Sequence, residues 1–97
     1  MTQKNPDKRR GQRILTALPV FLKNAQGITR DVSAAGVYFL IPEAICALGD
    51  LICFSVELHR REGKLVLKCR GDVVRTEPRN SEFGVAVRII DSAMVMA

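Results

Sequence analysis

Arg9 and Arg13 lie four residues apart in "DKRRGQR", residues 7 to 13. An offset of four puts two side chains on one side of a helix and also on one side of an extended strand. Both guanidinium groups can therefore converge on one ligand in either conformation. Their planar forks of donors suit phosphate oxygens and the O6/N7 edge of guanine. Lys8 and Arg10 add charge beside them. The plainer reading of this stretch is a solvated basic tail.

A second group sits in "RDVSAAG", residues 30 to 36. Asp31 and Ser33 are two apart, so an extended backbone projects both to one face. An ionised Asp31 only accepts hydrogen bonds, and the adjacent N1–H and N2–H of guanine match a carboxylate. The Ser33 hydroxyl can serve a phosphate oxygen. Ala34 and Ala35 are small, and Gly36 permits a positive φ, so a flat ligand can approach the main chain. The alternative is an Asp/Ser turn that satisfies its own backbone.

Strands must position these groups. No segment keeps a helical period, but several alternate with period two. In "KLVLKCRGDVVR", Leu65, Leu67, Cys69, Gly71 and Val73 share a face. Phe83, Val85, Val87 and Ile89 share another, as do Ile52, Phe54, Val56 and Leu58. One buried and one wet face per strand predicts an antiparallel sheet. The pattern places six strands at roughly 14–23, 28–32, 36–41, 51–59, 64–76 and 83–90. "NAQG" and "RREGK" read as hairpin connections and "EPRNSE" as a longer loop. "PEAICALGD" reads as a connection with room for a single helical turn. Pro19 predicts a bulge or an edge in the first strand. The tail "DSAMVMA" reads as the start of a helix, with Asp91 or Ser92 as its cap. In so short a chain, six antiparallel strands predict a closed or nearly closed barrel, which removes exposed edges.

Composition narrows the class. A chain of 97 residues with 47% hydrophobic and 26% charged residues fits one globular domain. The net charge of +5 favours an anionic partner. No apolar run approaches the ~20 residues of a membrane span, and the polar N-terminus lacks the apolar centre of a signal peptide, so the expected location is cytoplasmic, without membrane insertion. Cys46, Cys53 and Cys69 include no CxxC pair and read as small apolar residues. His59 lacks companions at metal-ligand spacing, and "HRRE" reads as a solvated hairpin tip. No nucleophile–base pair or paired-carboxylate pocket points to an enzyme.

The order RxxxR, first strand, hairpin, DxSxxG, then "LGDLI", "CRGDVVR" and "FGVAVRI" resembles the PilZ domain, a bacterial receptor for the second messenger cyclic di-GMP. The resemblance runs from Arg9 to about Ile90. It implies an all-β fold, a six-stranded antiparallel barrel over residues 14–97 with a flexible N-terminal arm over residues 1–13 and a short C-terminal tail. It implies that Arg9 and Arg13 grip guanine and phosphate while Asp31, Ser33 and Gly36 line the base of the same site, with Lys8 and Arg10 alongside. The ligand is cyclic di-GMP, bound singly or as a stacked pair, and no other cofactor is implied. Closure of the arm would signal to a downstream protein partner. Relatives often carry a longer C-terminal helix than the residues up to Ala97 allow.

Two other readings compete. A PilZ-like adaptor would bind protein and no nucleotide. A basic small barrel would bind nucleic acid, but one tyrosine, four phenylalanines and no tryptophan make a poor stacking platform.

Overall fold

The computed structural model describes residues 17–96. Period-two alternation becomes six strands: β1 (Pro19–Leu22), β2 (Gln26–Val32), β3 (Gly36–Ile41), β4 (Leu51–Arg60), β5 (Gly63–Arg79) and β6 (Glu82–Met96). All pair antiparallel and close into a barrel in the order β1-β2-β3-β6-β5-β4. Closure removes the edge that Pro19 seemed to require. Pro19 is instead the first residue of β1, where an imide nitrogen costs no ladder bond. The irregularity lies opposite, in β2, where the register shifts between Thr29 and Asp31.

The inward faces supply the core. Val20, Phe39, Ile41 and Val85 are fully buried, and Phe54, Val56, Cys69, Val73 and Val87 nearly so. The Phe39 and Phe54 rings meet at a tilted angle, 5.6 Å between centroids. Thr29 is the one fully buried polar residue among those described, and its hydroxyl accepts a hydrogen bond from the Leu18 amide at 3.0 Å. The Thr29 amide donates back to the Leu18 carbonyl, so the chain enters β1 alongside β2.

The connections differ from expectation in three places. Residues between β3 and β4 form no helical turn. Instead the Asp50 carboxylate accepts from the Ala47 amide, and Gly49 and Asp50 exchange backbone bonds with Val73 of β5. The loop expected at "EPRNSE" shrinks to Asn80 and Ser81, because β5 runs on to Arg79. Asn80 takes a φ of 54°, the left-handed conformation that a tight hairpin needs and that asparagine tolerates. The tail does not start a helix. Residues 91–96 continue β6 against Leu65–Arg70 of β5, and a long paired template outweighs the local capping signal. The expected start of the first strand at residue 14 lies outside the described residues.

Beyond the barrel proper, β4, β5 and the end of β6 project as a three-stranded sheet. Leu58, Leu65 and Met96 are in register across it, as are Val56, Leu67 and Met94. Its outer face mixes charge with valine: Glu57 bridges His59 and Lys64, and Val66 and Val95 are in register beside it. His59 and Arg61 are exposed at its tip, as expected of "HRRE".

Candidate ligand-binding site

The turn between β2 and β3 is built by Ser33 and Gly36. The Ser33 amide donates to the Gly36 carbonyl at 2.9 Å. The Ser33 hydroxyl accepts from the Gly36 amide and donates to the Gly36 carbonyl, both at 3.3 Å. The hydroxyl thus closes the two-alanine tip of the hairpin. A further bond ties this turn to the barrel, from the Ile89 amide to the Ala35 carbonyl at 3.0 Å.

Gly36 is needed for a reason other than positive φ. Among the described residues, glycines with positive φ are Gly49 and Gly63. A Cβ on Gly36 would come within 2.7 Å of the Val87 carbonyl oxygen. The glycine lets β6 approach β3 closely at the turn.

Cross-strand register assembles the outer surface beside this turn. Asp31 faces Tyr38, Tyr38 faces Ala86, and Ala86 faces Arg75, one residue from each of β2, β3, β6 and β5. In the neighbouring row Gly36 faces Arg88, and Arg88 faces Asp72. Glycine and alanine leave a low floor between taller walls. The result is a shallow depression of about 200 Å³ lined by Asp31, Ser33, Gly36, Val37, Tyr38, Ala86 and Val87. The three DxSxxG residues are therefore brought to one place. Lys8, Arg9, Arg10 and Arg13 lie outside the described residues.

Tyr38 is the wall that the sequence did not reveal. Its hydroxyl donates to Glu77 Oε2 at 2.6 Å and accepts from Arg79 Nη1 at 3.0 Å. The Arg75 guanidinium stands 5.6 Å from the ring centroid, within cation–π range. Burial, reinforced by the bond to Glu77, raises the Tyr38 pKa above its ordinary value. The Tyr38 bond, with Arg75 and Arg79 nearby, lowers that of Glu77. On the other side, Arg88 forks onto Asp72 with bonds of 3.2 and 2.9 Å, which holds the Asp72 pKa down. Arg75, Arg79 and Arg88 beside the depression are thus already matched by carboxylates, whereas Arg30, next to Asp31, is exposed. No signal in the sequence joins Tyr38 to Glu77, since 39 residues separate them and only the barrel register brings them together.

This architecture matches a known family over nearly the whole chain. The model of the PilZ domain matches residues 7–95. The chain belongs to the PilZ domain family. The matched span includes the RxxxR arginines as well as Asp31, Ser33 and Gly36. PilZ domains form a family of cyclic di-GMP receptors and act as binding modules. Among solved structures, the PilZ chain resembles the Bacillus subtilis inhibitor of motility (MotI/DgrA), with a TM-score of 0.73 at 16% identity. The likeness is one of fold; it covers 93% of this chain and 46% of that protein, so this chain spans less than half of its neighbour. No curated protein sequence matches the chain. No helix among the described residues is long and apolar enough to cross a membrane.

Proposed function

We propose that this PilZ domain is a cyclic di-GMP receptor whose N-terminal arginines close over a ligand seated on the DxSxxG surface. The observation that carries the reading is the convergence of Asp31, Ser33 and Gly36 on one outer depression, within a chain whose family match also takes in Arg9 and Arg13. In this reading the Asp31 carboxylate accepts from the N1–H and N2–H of a guanine. Ser33 shapes the turn, and Gly36 keeps the floor low. Arg75, Arg79 and Arg88 close to this floor are held by Glu77 and Asp72, so in this reading the ligand's two negative charges fall to Arg9 and Arg13, with Lys8 and Arg10 adding field. Tyr38 and Arg75 bound the site on the far side. Ordering the arm on the ligand carries an entropic cost, and the closed arm presents a new surface to a protein partner. The structural neighbour is named as an inhibitor of motility, which favours output through another protein.

Titration calorimetry with cyclic di-GMP tests the assignment and gives the stoichiometry. Each charge-assisted hydrogen bond contributes roughly 1.5–3 kcal/mol, so Arg9→Ala and Arg13→Ala are each expected to weaken binding about tenfold to a hundredfold or more. Unchanged affinity in both variants would sink the clamp. A wild-type chain that binds no cyclic di-GMP but retains a protein partner would establish the adaptor reading. Competition by DNA at physiological salt would support the nucleic-acid reading.

A further inference from the structure

A regular strand sends consecutive side chains to opposite faces, so neighbours such as Arg30 and Asp31 do not ordinarily serve one ligand. β2 breaks this rule here. Thr29 pairs with Phe39 and Asp31 with Tyr38, one step along β3 but two along β2, so Arg30 is the extra residue of a bulge. Burial shows the result. Thr29 and Val32 are buried, and the two residues between them, exposed Arg30 and half-buried Asp31, both lie on the outer surface. Their Cα atoms are about 3.8 Å apart, as for any consecutive residues.

Arg30 also differs from the other arginines beside the depression. Arg75 and Arg79 are paired with Glu77, and Arg88 with Asp72. Arg30 forms no ion pair or hydrogen bond among the described residues, so its five N–H donors are uncommitted there. The bulge therefore sets a donor-only group directly beside an acceptor-only group.

That pairing matches the base-pairing edge of guanine, which carries the N2–H and N1–H donors and then the O6 acceptor in a row. The Asp31 carboxylate takes the two donors but has nothing to give O6. A guanidinium beside it supplies the missing donor. Adenine presents the reverse, an acceptor at N1 and a donor at N6. It would set N1 against the carboxylate and its amino group against the guanidinium, unfavourable at both places.

We propose that Arg30 and Asp31 together read the guanine edge, with Arg30 donating to O6, and that Arg30 is a specificity-determining residue for guanine over adenine. The inference rests on the cyclic di-GMP reading of this site and adds to it a residue outside both the RxxxR and DxSxxG motifs.

Titration calorimetry of the full chain with cyclic di-GMP and cyclic di-AMP tests it. The two ligands carry the same two phosphates, so a role through charge alone would act on both alike. The wild type should prefer cyclic di-GMP. Arg30→Ala should bind cyclic di-GMP about tenfold more weakly, the loss of one charge-assisted hydrogen bond, and cyclic di-AMP no more weakly than the wild type. Arg30→Gln removes the charge but keeps a donor, and should bind cyclic di-GMP within about threefold of the wild type. Both variants should keep the wild-type circular dichroism, since Arg30 is exposed. Unchanged cyclic di-GMP affinity in Arg30→Ala overturns the proposal. So does an equal fall for both ligands, or an Arg30→Gln no better than Arg30→Ala, either of which would leave Arg30 as a source of field only. These failures leave the receptor reading standing, because the wild type still binds. A wild type that binds neither ligand removes the receptor reading and this inference with it.

Discussion

At the scale of single residues, side-chain type and spacing singled out three residues that the structure brings to one depression, and gave no signal of the Tyr38 that walls it. Asp31, Ser33 and Gly36 were legible because two-residue offsets share a strand face and the turn falls next to them. The reason for Gly36 was not legible, since its neighbour is the Val87 carbonyl on a strand about fifty residues away, and only the β3–β6 register brings them together. Gly36→Ala should therefore destabilise the barrel by about 1–3 kcal/mol, the usual cost of overpacking, because a backbone carbonyl cannot rotate aside. Urea denaturation followed by circular dichroism measures it, and an unchanged midpoint would show that β6 has room to retreat. Tyr38 makes a second test. Glu77 has a pKa below its ordinary 4.5 because Tyr38 donates to its carboxylate. A carboxyl with a depressed folded pKa contributes stability that is present above 4.5 and lost as the pH falls through the folded value. Tyr38→Phe should flatten the acid side of a melting-temperature profile between pH 3 and 6. A profile parallel to that of the wild type would mean that the bond contributes nothing in solution.

At the scale of elements, β2, β3, β4 and β5 fall within about three residues of the bounds expected from the sequence, because each has one face in the core and one in water. The errors arose where pairing overrode local signals. "DSAMV" carries a helix cap, yet β5 offers it a long template and it becomes strand. Asn80 and Ser81 make a tight turn where a longer loop was expected, since a left-handed asparagine needs no extra residues. The alternation also sorts the cysteines. Cys46 and Cys69 are buried, and Cys53 is exposed on the outer side of β4. Burial pushes the Cys69 thiol up to about 11, which removes its thiolate near neutrality. A maleimide at pH 8 should label Cys53 alone in the native chain and all three cysteines in urea, as read by mass spectrometry. Labelling of Cys69 without denaturant would show that β5 opens at the barrel mouth.

At the scale of the whole molecule, most of the net charge lies in the first thirteen residues. Residues 1–13 hold five lysines or arginines against one acid, which leaves the remainder at net +1. Within that remainder most arginines are paired: Arg60, Arg70, Arg75, Arg79 and Arg88 each face a carboxylate. Among the described residues the hydrophobic core, by contrast, draws on the six strands and on Cys46 of the β3–β4 connection, with Leu18 packed against it. Stability and anion recognition should therefore separate on truncation. A chain lacking residues 1–13 should keep its β-sheet circular dichroism and unfold cooperatively, because every ladder of the closed barrel remains. It should also lose most of its cyclic di-GMP binding, because Arg75, Arg79 and Arg88 beside the low floor are already paired with carboxylates and only Arg30, next to Asp31, is left to stand in for Arg9 and Arg13. The same truncation should abolish whatever salt-sensitive DNA binding the full chain shows, whereas specific ligand binding by the full chain should survive moderate salt through its directional bonds. Full affinity in the truncated chain would move the site onto the barrel alone, and a chain that no longer folds would show that the first thirteen residues belong to the core after all.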